Sequence, residues 1–211
     1  MAGEHIVLAG DSIFDNANYV PGEPCVTKQL GLILGDSISV SMIAVDGDYA
    51  EDVHRQLTAL PQSGTHIFVS AGGNDALRYA NKLNQEYSTT QSLFREWANI
   101  QTEFRRDYHE MLRAILEKKR KTTVCTIYDA VPTIGELERT ALSLFNDIIV
   151  AEAISNRLPV IDLRLVCTET HDYSSVSPIE PSCQGGAKIV KILERVFIEH
   201  DFSRTNTVIY W

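Results

Sequence analysis

A chain of 211 residues, 44% apolar and 22% charged, is long enough to bury about 70% of its unfolded surface, and a single domain over residues 1–211 is expected. Its net charge of −9, with no basic cluster longer than Lys118-Lys119-Arg120-Lys121, argues against nucleic acid and anionic membranes as partners, because both need a basic surface. No apolar run of about 18 residues occurs, and the first strand begins by residue five without a basic or apolar leader pattern, so a cytoplasmic protein is expected.

The first element is the apolar run His5-Ile6-Val7-Leu8-Ala9, which reads as a buried parallel strand ending in Gly10-Asp11-Ser12. A serine just past the carboxyl end of such a strand lies where open α/β sheets place their chemistry. The same tripeptide is also ordinary turn material, with Asp11 fixing the turn. Asp15, Asn16 and Asn18 follow, more suited to turns than to substrate contact.

A loop with Pro21, Gly22 and Pro24 leads to a helix through Gln29–Leu34 that stops at Gly35. Ser37 to Val45 alternates as a second strand and closes on Asp46-Gly47-Asp48. From Tyr49 to Leu60, Ala50, Val53, Leu57 and Leu60 recur at helical spacing, and Pro61 ends the segment. His66 to Ala71 is a third buried strand that delivers Gly72-Gly73-Asn74-Asp75, where Asp75 suits a helix cap.

Residues 76–120 hold a short helix near Ala76–Leu83, a polar linker at 88–92 and a long helix through Phe104, Tyr108 and Leu112. Thr122–Tyr128 is strand four, Glu136–Ser155 a helix, and Leu158–Leu163 strand five. A loop to Ser182 and a last helix, Gly186–Glu199, follow. The tail Thr205–Trp211 suits an added edge strand or a homo-oligomer contact. Five strands alternating with helices imply right-handed crossovers and a three-layer α/β/α sandwich with a five-stranded parallel sheet.

Gly-Asp-Ser-Ile after strand one, Gly47 after strand two and Gly72-Gly73-Asn74-Asp75 after strand three together resemble the SGNH (GDSL-type) hydrolase superfamily. The resemblance implies a flavodoxin-like α/β fold and acyl-ester hydrolysis without cofactor or metal, on a small-molecule ester. It makes Ser12 the nucleophile, with the backbone N–H of Ser12 and Gly47 and the side-chain amide of Asn74 as oxyanion donors. These residue types suit the task, since glycine admits close approach and a neutral amide donates without forming a competing ion pair.

One block departs from the family. Where relatives carry Asp-x-x-His before the last helix, this chain reads Ser177-Pro178-Ile179-Glu180, so glutamate stands in the histidine position. A glutamate with its ordinary pKa of about 4.3 is a poor base unless burial raises it. Arg55, on the helix after Gly47, is a candidate partner for Glu180, although it falls opposite the apolar stripe, where plain solvation is the readier explanation. His171 is a candidate replacement base; His54 and His66 are expected to be structural, and His5, His109 and His200 superficial. Cys25, Cys125, Cys167 and Cys183 show no metal spacing and are expected reduced, a Cys167–Cys183 bridge being the alternative.

Two other classes compete with the hydrolase. A catalytically silent relative would keep the pocket to bind an acylated or glycan ligand. A flavin- or nucleotide-binding protein is disfavoured, because the first loop lacks phosphate donors and no Gly-x-Gly-x-x-Gly occurs.

Overall fold

The computed structural model describes residues 3–211. Its strands are β1 (His5–Gly10), β2 (Ser39–Met42), β3 (His66–Ser70), β4 (Lys121–Cys125), β5 (Val160–Ile161) and β6 (Ile209–Tyr210). They form one sheet, every pair parallel, in the order β2-β1-β3-β4-β5-β6. The first five follow the flavodoxin-like order, which reverses direction between β1 and β3 and opens a crevice at their carboxyl ends.

Six α-helical segments cover the sheet: α1 (Val26–Leu34), α2 (Val53–Gln56), α3 (Gly73–Arg78), α4 (Thr90–Glu117), α5 (Glu136–Ser155) and α6 (Cys183–Glu199). Strand alternation divides the core between them. Ile6, Leu8 and Phe68 pack towards α1 and α6, whereas Val7, Ala9, Ile67 and Val69 pack towards α2, α4 and α5. All residues of β1 and β3 are buried, as central strands covered on both faces must be.

The sheet has six strands rather than the expected five. Val160 N donates to Val208 O at 2.9 Å and Asp162 N to Tyr210 O at 2.8 Å, so the tail covers the outer edge of β5 as an edge strand of its own chain. The second strand is shorter than the alternation suggests because Ile43 N and Ala44 N both donate to Leu8 O, which breaks the ladder just after Met42.

The expected helix over 49–60 is only one α-helical turn, α2, between 3₁₀ turns at Ala50–Asp52 and Leu57–Ala59. Asp75 does not cap α3, whose cap is Gly72; its carboxylate instead accepts Ala50 N at 3.0 Å. His5 is buried between Ser63 and Ser41, contrary to its expected surface position, and His54 is exposed rather than structural. All four cysteines are free. Among the described residues, no helix is long and apolar enough to cross a membrane.

Candidate active site

Three strand ends meet in the crevice, and hydrogen bonds tie them together. Gly10 closes β1 at φ +119°, where a Cβ would stand 1.7 Å from Ser70 O, so only glycine lets β1 pass this close to β3. Asp11 N then donates to Ser70 O, and Asp11 Oδ1 accepts Ile13 N at 3.1 Å, which fixes the turn presenting Ser12. Asp11 thus does what the turn reading assigns to it.

Gln56, on α2, joins this turn to the loop after β2. Its amide pairs with both main-chain groups of Gly10, at 2.8 and 2.7 Å, and its Nε2 also donates to Asp48 Oδ2 at 2.8 Å. Asn74, on α3, donates through Nδ2 to Asp48 O at 2.9 Å, which brings the third loop against the second and leaves the other amide hydrogen available. Gly47, next to Asp48 in the chain, has φ +84°, a left-handed conformation that favours glycine. Among the described residues, neither Ser12 N nor Gly47 N has an intramolecular acceptor. The loops that carry Ser12, Gly47 and Asn74 are therefore tied together, and Ser12 and Asn74 line one cavity.

Glu180 also reaches this centre. Its carboxyl is buried beside the Ser12 hydroxyl, close enough for that hydroxyl to stabilise the charged form though short of strict hydrogen-bond geometry, and its Oε2 has no protein partner. Burial raises its pKa, and the nearby Asp46 carboxylate adds to the rise, whereas the Ser12 hydroxyl opposes it. The peptide around it is held at three successive carbonyls. Ile179 O accepts the Tyr128 hydroxyl at 2.6 Å, Glu180 O accepts Ser174 N at 2.8 Å, and Pro181 O accepts Asn16 Nδ2 at 3.1 Å. Asn16, fully buried, is thus a clamp between the first and last loops rather than a simple turn residue.

The expected Glu180–Arg55 pair is not formed. Arg55 donates Nη2 to both oxygens of Asp48, at 2.8 and 2.7 Å, and its side chain is 61% exposed. Asp48 follows Gly47 directly, so the guanidinium meets this carboxylate before it could reach the centre. His171 is exposed on a 3₁₀ turn, Thr170–Asp172, outside the cavity wall.

Beside Ser12 opens a cavity of about 160 Å³ lined by Asp11, Ser12, Asn74 and Glu180 and otherwise mainly by apolar side chains, many of them from α3, α5 and the chain after β4. Residues 6–200 match the family model described as GDSL-like Lipase/Acylhydrolase. The chain belongs to this family.

Solved structures agree with the family's fold. A lipase from a goat rumen metagenome superposes with a TM-score of 0.70 at 20% identity, covering 91% of this chain and 96% of that one. An acetyl xylan esterase gives 0.69 at 15% identity, over 92% and 100% of the two chains. A member of the lipolytic G-D-S-L family from Veillonella parvula gives 0.68 at 14%, over 93% and 100%. No curated protein matches the chain.

This GDSL-family fold holds its crevice at a cost that depends on pH. Burial pushes the Asp11 carboxyl up from 3.8 to about 8, with the Glu180 and Asp75 charges adding to it, and burial likewise raises Asp75 to about 6. The unfolded chain releases these protons near pH 4, the folded one only at those higher values. In between, the folded state holds more protons, so rising pH favours unfolding. Thermal melts should show stability falling from pH 5 to pH 8, and Asp11→Asn, whose Oδ1 still accepts Ile13 N, should flatten that slope. An unchanged slope in the variant would assign the effect to other groups.

Proposed function

We propose that the protein is a serine acyl-ester hydrolase in which Ser12 is the nucleophile and Glu180 the general base. The observation that carries this reading is the buried Glu180 carboxyl beside the Ser12 hydroxyl, with one oxygen unpartnered. Oγ of Ser12 attacks the ester carbonyl carbon as its proton passes to Glu180. The oxyanion receives the Ser12 and Gly47 N–H groups and the Asn74 amide, each worth about 3 kcal/mol of barrier. Collapse breaks the bond to the alcohol oxygen, which takes the proton back from Glu180. Water, deprotonated by the same carboxylate, then attacks acyl-Ser12, and the proton returns to the serine on release of the acid.

A carboxylate base works only when ionised, and it works better as its pKa approaches the working pH, which is what burial does here. Glu180→Gln should lower kcat/KM for p-nitrophenyl acetate by about 10²–10⁴-fold. The rate of the unaltered protein should rise with pH through the elevated Glu180 pKa. An undiminished rate in Glu180→Gln would remove glutamate from the mechanism.

The turn that carries Glu180 also keeps the family's spacing. Ser177 O accepts Glu180 N at 3.1 Å, so the two positions face each other across a single turn. Ser177→Asp combined with Glu180→His restores the family pattern and should raise the rate roughly tenfold at pH 7, since imidazole titrates nearer that pH. A rate no higher than that of the unaltered protein would mean that this turn holds an imidazole away from Ser12.

A further inference from the structure

We infer that Asp11 is a further catalytic residue of this site, donating a hydrogen bond from Oδ2 to the oxyanion that forms beside Ser12. This rests on the hydrolase reading and deepens it, since it gives the same centre a fourth donor and an alkaline limit to its activity. The two oxygens of the Asp11 carboxyl have different surroundings. Oδ1 accepts Ile13 N at 3.1 Å, the bond that fixes the turn presenting Ser12. Among the described residues Oδ2 receives no hydrogen bond, and it stands against Gly73, where a Cβ would lie 3.6 Å from it. Gly73 directly precedes Asn74, and Asp11, Gly73 and Asn74 line the same cavity as Ser12. The free oxygen therefore lies at the start of α3, next to the residue whose amide serves the oxyanion.

An anion at this position lacks what an anion needs. Asp11 is only 3% exposed. The titratable groups facing it are Glu180 from the loop before α6, Asp75 from α3, Tyr108 from α4, Cys125 from β4 and Tyr128 just beyond it, and none of them is a cation. Burial without a cation favours the neutral acid, and the Glu180 and Asp75 charges act in the same direction. A neutral carboxyl donates where the carboxylate only accepts. Glu180 takes the opposite part, ionised to receive the serine proton, so two carboxyls around one serine are divided between donor and base.

The pH–rate profile tests this, read as kcat/KM for p-nitrophenyl acetate with the Ser12→Ala rate subtracted. In the unaltered protein it should fall about tenfold per pH unit above about pH 8, as Asp11 ionises and its proton is lost to the oxyanion. Asp11→Asn retains an acceptor for Ile13 N and sets an amide N–H where the acid proton was. It should be about tenfold slower at pH 7, the amide being the weaker donor, yet show no such fall up to about pH 9.5. Melting curves at each pH separate the fall from loss of structure, which is all that a purely structural Asp11 would change. Should Asp11→Asn not fold, difference infrared spectra of the unaltered protein between pH 7 and pH 9 serve instead, and should show the loss of one protonated-carboxyl C=O band. An equal alkaline fall in Asp11→Asn, no fall in the unaltered protein, or no protonated carboxyl lost over that range would overturn the assignment and leave the hydrolase standing. Absence of Ser12-dependent turnover at every pH would overturn both.

Discussion

Replacing Ser12 with alanine should reduce ester hydrolysis by at least about 10²–10⁴-fold, down to whatever the oxyanion donors and the cavity provide. The variant loses the attacking oxygen and also the proton that Glu180 would accept, so the loss is no smaller than that of general-base catalysis itself. Because the two side chains act as a unit, Ser12→Ala, Glu180→Gln and their combination should be nearly equal in kcat rather than multiplicative. Residual turnover by direct water attack is expected where donors remain positioned. The check is a single assay of p-nitrophenyl butyrate hydrolysis across the four proteins. Equal rates in Ser12→Ala and the unaltered protein would leave the crevice as a binding site for an acylated ligand.

The largest expected effect on stability is at Gly10. A methyl group there would overlap Ser70 O, at 1.7 Å, and would hold an L-residue at φ +119°. Neither β1 nor β3 can yield cheaply, since their ladder runs from Ile6–His66 to Gly10–Ser70. Gly10→Ala should therefore cost at least about 4 kcal/mol, the range reserved for severe steric defects. For a chain of this size that lowers Tm by about 10 °C or more. Gly31→Ala is the comparison, because its added Cβ on α1 meets no atom within 4 Å and should be neutral or stabilising by under about 1 kcal/mol. Similar melting curves for Gly10→Ala and the unaltered protein would contradict the close β1–β3 crossing.

The parts of the fold that the sequence makes legible are those whose signal is local. Apolar runs ending in glycine mark β1 and β3, and the loop residues just beyond them, Ser12 and Asn74, are the ones that meet in the crevice. Glu180 is legible through its place in a family pattern, not through its residue type. Gln56 and Asn16 escape because their partners lie far along the chain, Gly10 at a separation of 46 residues and Pro181 at 165. Gln56 did leave a trace, a polar residue three positions after Val53 on the inward face of a helical turn. Arg55 is illegible for the opposite reason: its partner Asp48 is only seven residues away, but sequence alone does not show which way a long side chain turns. The sixth strand is not legible because two residues, Ile209 and Tyr210, carry too short an alternation to separate an edge strand from an intermolecular contact.

The three anchored carbonyls at 179, 180 and 181 grip the main chain and leave the side chain at 180 unconstrained by them. Such a mount does not depend on what it carries, because none of the three hydrogen bonds uses the side chain at 180. If Glu180 is the proton acceptor proposed above, its replacement would retune the pH at which the catalyst works, or silence it, through a change at one codon and without altering the main-chain anchors of the loop.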